Sequence, residues 1–156
     1  MILIERPGLN PLEIEFVLLD FDGTLAMNRR VHLNAKDKIN LLSKRTHIYV
    51  LTTQRKELIE ERLRRVKAEI IYLAEGDCSR RKLDLLHQLG PTRCAAIGNG
   101  VDDAGMIQEA SIGICVIGKE GSSGEAVKNA DLVFVDILDA LDFLLKPLRQ
   151  KATLGL

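Results

Sequence analysis

Six short apolar runs recur along the chain, at 15–20 (EFVLLD), 47–52 (HIYVLT), 69–73 (EIIYL), 93–98 (RCAAIG), 112–117 (IGICVI) and 131–135 (DLVFV). Most are apolar at successive positions rather than every second one, the pattern of strands buried on both faces. Between them lie stretches of helical character at 34–45, 54–67, 79–89, 102–110, 124–130 and 137–146. Asn34 is a candidate cap for the first of these helices and Ser79 for the third, which Gly90-Pro91 stops; the last runs up to Pro147. Strand and helix alternating in this way predict an α/β fold: a three-layer, Rossmann-like open parallel sheet with right-handed crossovers and helices on both faces. Such sheets bind ligands at the carboxyl ends of their strands, near the point where strand order reverses. Asp20 ends the first core strand, Thr52 the second and Gly98-Asn99 the fourth, so these residues are expected to converge.

The 156 residues suit one domain, with 1–14 as a hairpin-like addition at the sheet edge, 15–146 as core and 147–156 as a tail. Lys and Arg number 22 and Asp and Glu 22, a balance without the basic excess of a nonspecific nucleic-acid binder. No apolar run approaches the roughly 20 residues needed to span a bilayer. The opening MILIERPG lacks a basic start followed by a long apolar stretch, so no signal peptide is expected. Cys78, Cys94 and Cys115 are odd in number and form no CxxC, which reads as inert, reduced thiols and a cytoplasmic protein.

Four stations carry chemistry. In FVLLDFDGTLA (16–26) a buried strand delivers two carboxylates, Asp20 and Asp22, to one spot. Like charges that close are costly to desolvate, so the pair implies a cation, or one acid that attacks while the other carries a proton. A carboxylate can attack a phosphoryl group, and a nearby acid can protonate the departing oxygen and later activate water. Gly23 eases the sharp turn this needs. Thr52, with Thr53 beside it, can donate a hydroxyl to a phosphate oxygen. Lys82, in SRRKLDLL, can screen a carboxylate nucleophile from a phosphate dianion, with Arg80 and Arg81 as competitors. The loop IGNGVDD (97–103) can present Asn99 and Asp103 to the cation near Asp20, and Mg2+ takes such oxygen ligands. Each station taken singly also reads as a strand-end turn, a helix cap or a solvated surface. Their order and shared placement point to one site.

These residues resemble the haloacid dehalogenase superfamily, in particular its soluble members similar to the phosphorylation domain of P-type ATPases. DFDGTLA resembles the first superfamily motif, VLT the second, Lys82 the third and IGNGVDDAGM the fourth, and SIGICVIGKEGSSGEAVKNADLVF resembles the segment that follows the fourth in ion pumps. The resemblance covers about residues 15–146. It implies that Asp20 accepts the phosphoryl group and Asp22 is the acid/base. Mg2+ would be held by Asp20, the Asp22 carbonyl and the fourth motif through Asn99, with Asp103 supporting the shell. Thr52, Thr53, Gly23 and Lys82 would hold phosphate.

Two departures stand out. Asn99 occupies the position where the fourth motif usually begins with an acid, placing a neutral oxygen at the metal, which Asp102 or Asp103 can offset. Asp22 is an acid where the pumps have none, favouring hydrolysis of an aspartyl-phosphate over its storage. Thirty-one residues separate Asp20 from Thr52 and 29 separate Thr52 from Lys82, too few for an inserted domain of about 50 or more residues. A capless, open site follows, with 25–33 as a short flap on which Arg29 and Arg30 could meet an anionic substrate but read mainly as a solvated turn. An open site would be closed by a bulky substrate or by a neighbour in a homo-oligomer (dimer or tetramer), with the stripe Ile137, Leu138, Leu141, Leu144, Leu145 packing either between subunits or in the core. His32, His47 and His87 read as isolated surface or core residues. The expected activity is Mg2+-dependent hydrolysis of a small phosphorylated substrate or a phosphoprotein. The rival is a weakly active or non-catalytic phospho-ligand or protein-binding module of the same fold.

Overall fold

The computed structural model describes residues 1–155. Six parallel strands form the central sheet: β3 (Phe16–Asp20), β6 (His47–Thr52), β7 (Glu69–Tyr72), β8 (Cys94–Gly98), β9 (Ile112–Val116) and β10 (Leu132–Phe134), in the order β10-β9-β8-β3-β6-β7. The register sets Phe16 opposite His47 on one side and opposite Cys94 on the other. β8 and β9 are buried at every position, as sheet positions covered from both faces must be.

Side chains leave a strand alternately to its two faces. Val17 and Leu19 join Val50, Ala95, Ile97 and Ile114 in one core, packed by α1 (Leu33–Leu42), α2 (Lys56–Arg62) and α6 (Ile137–Leu145). Leu18 joins Leu51, Cys94 and Ala96 in a second core, under α3 (Cys78–Leu89) and α4 (Ala104–Glu109). A smaller cluster of Ile107, Cys115 and Ala126 seats α5 (Gly124–Asn129). The connecting helices change faces where the chain, having laid β6 and β7 on one side of β3, returns to lay β8 on the other. A single crossover hand requires that change, and the reversal puts the carboxyl ends of β3, β6 and β8 side by side.

Several expectations are corrected. The leading hairpin, β1 (Ile2–Ile4) and β2 (Leu12–Ile14), is a separate two-stranded antiparallel sheet and not an addition at the edge. β2 runs straight into β3, the interior strand, so no sheet edge is within its reach; Ile2, Ile4 and Ile14 bury in the first core instead. The tail is helical: Pro147 opens α7 (Pro147–Leu154), where its missing N–H is harmless, and buried Gln150 donates to the Phe143 carbonyl oxygen at 2.9 Å. α2 stops at Arg62, well short of residue 67. His32, not Asn34, caps α1, its Nδ1 accepting from the Asn34 N–H at 3.1 Å, and Asp77, not Ser79, precedes α3. Ile137, Leu141 and Leu144 are buried in the core and Leu138 and Leu145 pack against it, so the stripe is core. No helix among the described residues is long and apolar enough to cross a membrane.

Candidate active site

Asp20 is the last residue of β3 and shares a strand face with Leu18, which directs it toward α3. Lys82, one turn before buried Leu86 on α3, reaches it: Nζ donates to Asp20 Oδ1 at 2.9 Å and to Asp103 Oδ1 at 2.7 Å, and Lys82 is only 5% exposed. Arg80 and Arg81 are exposed, Arg80 paired with Asp77. Asp103 is 1% exposed, and its Oδ2 accepts from the Asn99 and Gly100 N–H groups at 3.0 Å each. Its carboxylate thus ties the fourth-motif loop to Lys82. Gly98 makes room for it, since a Cβ there would lie 2.4 Å from Asp103 Cγ.

Thr24 completes the inner ring, a role that sequence reasoning missed. Fully buried, its hydroxyl lies 3.1 Å from both Asp20 Oδ2 and Asn99 Oδ1. Asn99 Nδ2 faces the Gly121 carbonyl oxygen at 3.4 Å, which fixes the amide's orientation. Two acceptors therefore converge on one hydroxyl proton, which can serve only one of them. Gly23, at φ +76°, sits under this pair; a Cβ there would lie 2.4 Å from Asn99 Nδ2 and 2.7 Å from Glu120 Oε2. Only glycine suits both the turn and the space.

Burial raises the Asp20 carboxyl above the ordinary range, and the charge of Asp103 adds to this, against the opposing pull of Lys82 and Thr24. Burial alone would lower the Lys82 ammonium, but Asp20 and Asp103 outweigh it and hold the group charged. Two buried carboxylates thus share one ammonium, and the surplus negative charge lies beside an oxygen pair short of a proton. This donor set of hard oxygens fits a divalent cation such as Mg2+. Among the described residues no three His, Cys, Asp or Glu side chains form a ready-made cage. A cation would accordingly draw on Asp20, Asn99, backbone oxygen and water or substrate.

Asp20, Asp22, Thr52, Thr53, Lys82, Asn99 and Asp103 all line one cavity of about 160 Å³, whose wall also includes Leu73, Cys78, Gly100 and Asp102. Asp22 is half-buried, and its Oδ1 accepts from Gln54 Nε2 at 3.0 Å, a second contact that sequence reasoning missed. Thr52 Oγ1 accepts from the Gln54 backbone N–H at 3.0 Å, leaving its own proton to be donated elsewhere. Thr53 is exposed at the rim. The flap is a tight hairpin, β4 (Ala26–Met27) and β5 (Arg30–Val31), turned by Asn28 and Arg29 at positive φ; Arg29 and Arg30 are exposed and neither lines the cavity. Cys78 is half-buried and Cys94 and Cys115 fully buried, all three free, and burial raises every one of these thiols, Cys94 to about 11. His32, His47 and His87 lie outside the cavity, His47 beside Glu69 and His87 beside Glu109.

No family model matches the chain. An uncharacterized protein of Methanocaldococcus jannaschii is 45% identical over 76 residues, 46% of this chain and 82% of that protein. Among solved structures, the 3-deoxy-D-manno-octulosonate 8-phosphate phosphatase of Moraxella catarrhalis, in complex with magnesium, phosphate and KDO, superposes with a TM-score of 0.72 at 16% identity, over 92% of this chain and 93% of that one. A putative HAD superfamily (subfamily III A) hydrolase of Legionella pneumophila gives 0.72 at 18% identity, over 92% and 88%. The cobalt-bound deoxy-D-mannose-octulosonate 8-phosphate phosphatase of Haemophilus influenzae gives 0.70 at 17%, over 90% and 92%.

Proposed function

This chain belongs to the family of the Methanocaldococcus jannaschii protein and has the haloacid dehalogenase fold, and from its site we propose that it is a phosphatase, hydrolysing phosphomonoesters through an aspartyl-phosphate on Asp20. The observation that carries the reading is the buried Asp20–Lys82–Asp103 array at the floor of a cavity whose wall holds a second carboxylate, Asp22. A buried carboxylate held by a fixed ammonium, with an acid two residues on, suits two successive displacements at phosphorus.

In the first displacement an Asp20 carboxylate oxygen bonds to phosphorus while the ester oxygen leaves, taking a proton from Asp22. In the second, Asp22 accepts a proton from water as the water oxygen bonds to phosphorus and the Asp20–phosphorus bond breaks. Alcohol and inorganic phosphate are released, and both carboxyl groups return to their starting states. Lys82 balances the charge of Asp20 against the incoming phosphate, and the Thr52 hydroxyl, with Thr53 and the turn at Gly23 near it, supplies donors to phosphate oxygens. Mg2+, held by Asp20, the Asp22 carbonyl and Asn99 with Asp103 behind them, would neutralise the phosphate and the surplus charge of the site.

A neighbour solved with magnesium, phosphate and a sugar acid supports a small phosphorylated substrate, as does a cavity of about 160 Å³, room for a phosphate and the adjoining carbons. The resemblance to the phosphorylation domain of P-type ATPases is one of sequence, over about residues 15–146, and the acid at Asp22 is what favours rapid hydrolysis. An aryl phosphate assay titrated with Mg2+ tests the proposal. Turnover should depend on the metal, and Asp20→Asn should abolish it, by about 10⁴-fold or more. Absence of both turnover and metal binding in the wild-type protein would leave a phospho-ligand module instead.

A further inference from the structure

We propose that Gln54 is the positioning residue of the acid/base, confining proton exchange to a single oxygen of Asp22. The inference rests on the phosphatase reading and goes beyond it to a residue outside the four motifs. Gln54 follows β6, the strand hydrogen-bonded beside β3, and so stands next to the turn that carries Asp22. Its backbone N–H is anchored on Thr52 Oγ1 at 3.0 Å and its side-chain Nε2 donates to Asp22 Oδ1 at 3.0 Å.

An amide N–H can only donate, and in a carboxyl group the oxygen without the proton is the stronger acceptor. The Gln54 contact on Oδ1 therefore favours Oδ2 as the oxygen that carries the exchangeable proton of Asp22. Proton transfer to a leaving oxygen needs that proton in one place, and an unpinned carboxyl at the end of a turn would divide its time among rotamers and between two oxygens. The same residue touches the neighbouring donor: the Gln54 N–H takes one of the two lone pairs of the Thr52 hydroxyl, which leaves its proton free to be donated. One side chain and its own backbone therefore align a proton donor and a phosphate donor across two adjacent strand ends. Among the described residues Gln54 has no second side-chain partner, and it is half-buried, so its replacement removes this contact without opening the core.

The test compares Gln54→Leu, Gln54→Glu and Asp22→Asn on two substrates, p-nitrophenyl phosphate, whose leaving group needs little protonation, and an alkyl phosphate, whose leaving group needs it fully. Gln54→Leu should lower kcat on the alkyl ester by about ten- to a hundredfold, the range expected for one hydrogen bond to a charged group. On the aryl ester the loss should move to the second step, seen as a burst of nitrophenol and trapped phosphoprotein. Gln54→Glu, of the same shape but set against Asp22 as a second acceptor, should lose at least as much, and it decides the matter alone if the leucine variant does not fold. The Mg2+ Kd of Gln54→Leu, measured by calorimetry, should match wild type. In the Asp22→Asn background, Gln54→Leu should cost nothing further. An equal loss in both backgrounds, or an aryl-ester loss without the burst of nitrophenol, overturns the assignment while leaving Asp22 in place. Wild-type kcat for Asp22→Asn on the alkyl ester overturns the acid/base reading itself.

Discussion

Removing Lys82 would strand two carboxylates in the floor of the site, because Asp20 and Asp103 share that one ammonium and both are nearly inaccessible. Breaking a buried charge array by deleting one partner typically costs about 3–5 kcal/mol, as the remaining charge is uncompensated. Lys82→Met is therefore expected to be less stable by that amount in urea unfolding near neutral pH. The deficit relative to wild type should shrink as pH falls, since protonating Asp20, whose carboxyl burial already raises, relieves the repulsion the ammonium had offset; a deficit independent of pH would assign the loss to packing instead. At this scale sequence reading singles out Asp20 and Thr52 by their position at strand ends and Asp22 by its spacing of two residues from Asp20. The choice of Lys82 over Arg80 and Arg81 also has a signal along the chain: Lys82 shares a helical row with Leu86, one turn on, while the arginines fall on the exposed side. Thr24 and Gln54 have no such signal. Their importance lies in which atoms face them, Asp20 and Asn99 in one case and Asp22 in the other, and those partners are brought up by strands and loops distant in sequence.

Between elements, the contact of α1 with α6 turns on one buried carboxylate. Asp142 accepts from Lys38 of α1 at 2.6 Å and from Lys146 at 3.0 Å, with Arg149 of α7 at 3.6 Å. Burial would raise this carboxyl, but the hydrogen bonds and charges of Lys38 and Lys146 overcome it and hold it below the ordinary value. A folded pKa depressed in this way contributes stability that is present above the unfolded value, about 3.9, and is lost as pH falls through the lower folded value. Asp142→Asn should accordingly cost about 1–2 kcal/mol at pH 7, discounted for the exposure of Lys146, and progressively less below about pH 4. Thermal melts of the two proteins at pH 7 and pH 3 check the sign; a gap that widens in acid would contradict it. Element ends were the least legible part of the chain for a related reason. α2 stops at Arg62 because Asn40 of α1 takes the next turn, donating to the Arg65 carbonyl oxygen and accepting from the Lys67 N–H, while the sequence RLRRVK carries no stop signal of its own. Pro147 reads equally as the end of one helix or the start of another, and buried Gln150 decides for the second.

For the molecule as a whole, the alternation of apolar runs was enough to read the layered α/β fold and the convergence of strand ends. The order β10-β9-β8-β3-β6-β7 was not, because strand order depends on which faces the crossover helices cover, and the hairpin's place follows from β3 being interior. That order has a thermodynamic consequence. The candidate site is assembled from the ends of β3, β6 and β8 and from α3, segments spread from residue 20 to residue 103. A ligand that bridges them binds the folded chain and not the unfolded one. Mg2+ with a phosphate mimic such as fluoroberyllate, at about a hundred times its Kd, should add about 2.7 kcal/mol to stability. For a chain of this size, where each kcal/mol shifts the midpoint by about 2–4 °C, that amounts to about 5–10 °C. A chelator should return the melting temperature to its starting value, and Asp20→Asn should show little of the shift. A rise of equal size in Asp20→Asn would place the anion elsewhere on the surface, because a ligand gathered by all four segments must lose affinity when the carboxylate at their meeting point loses its charge.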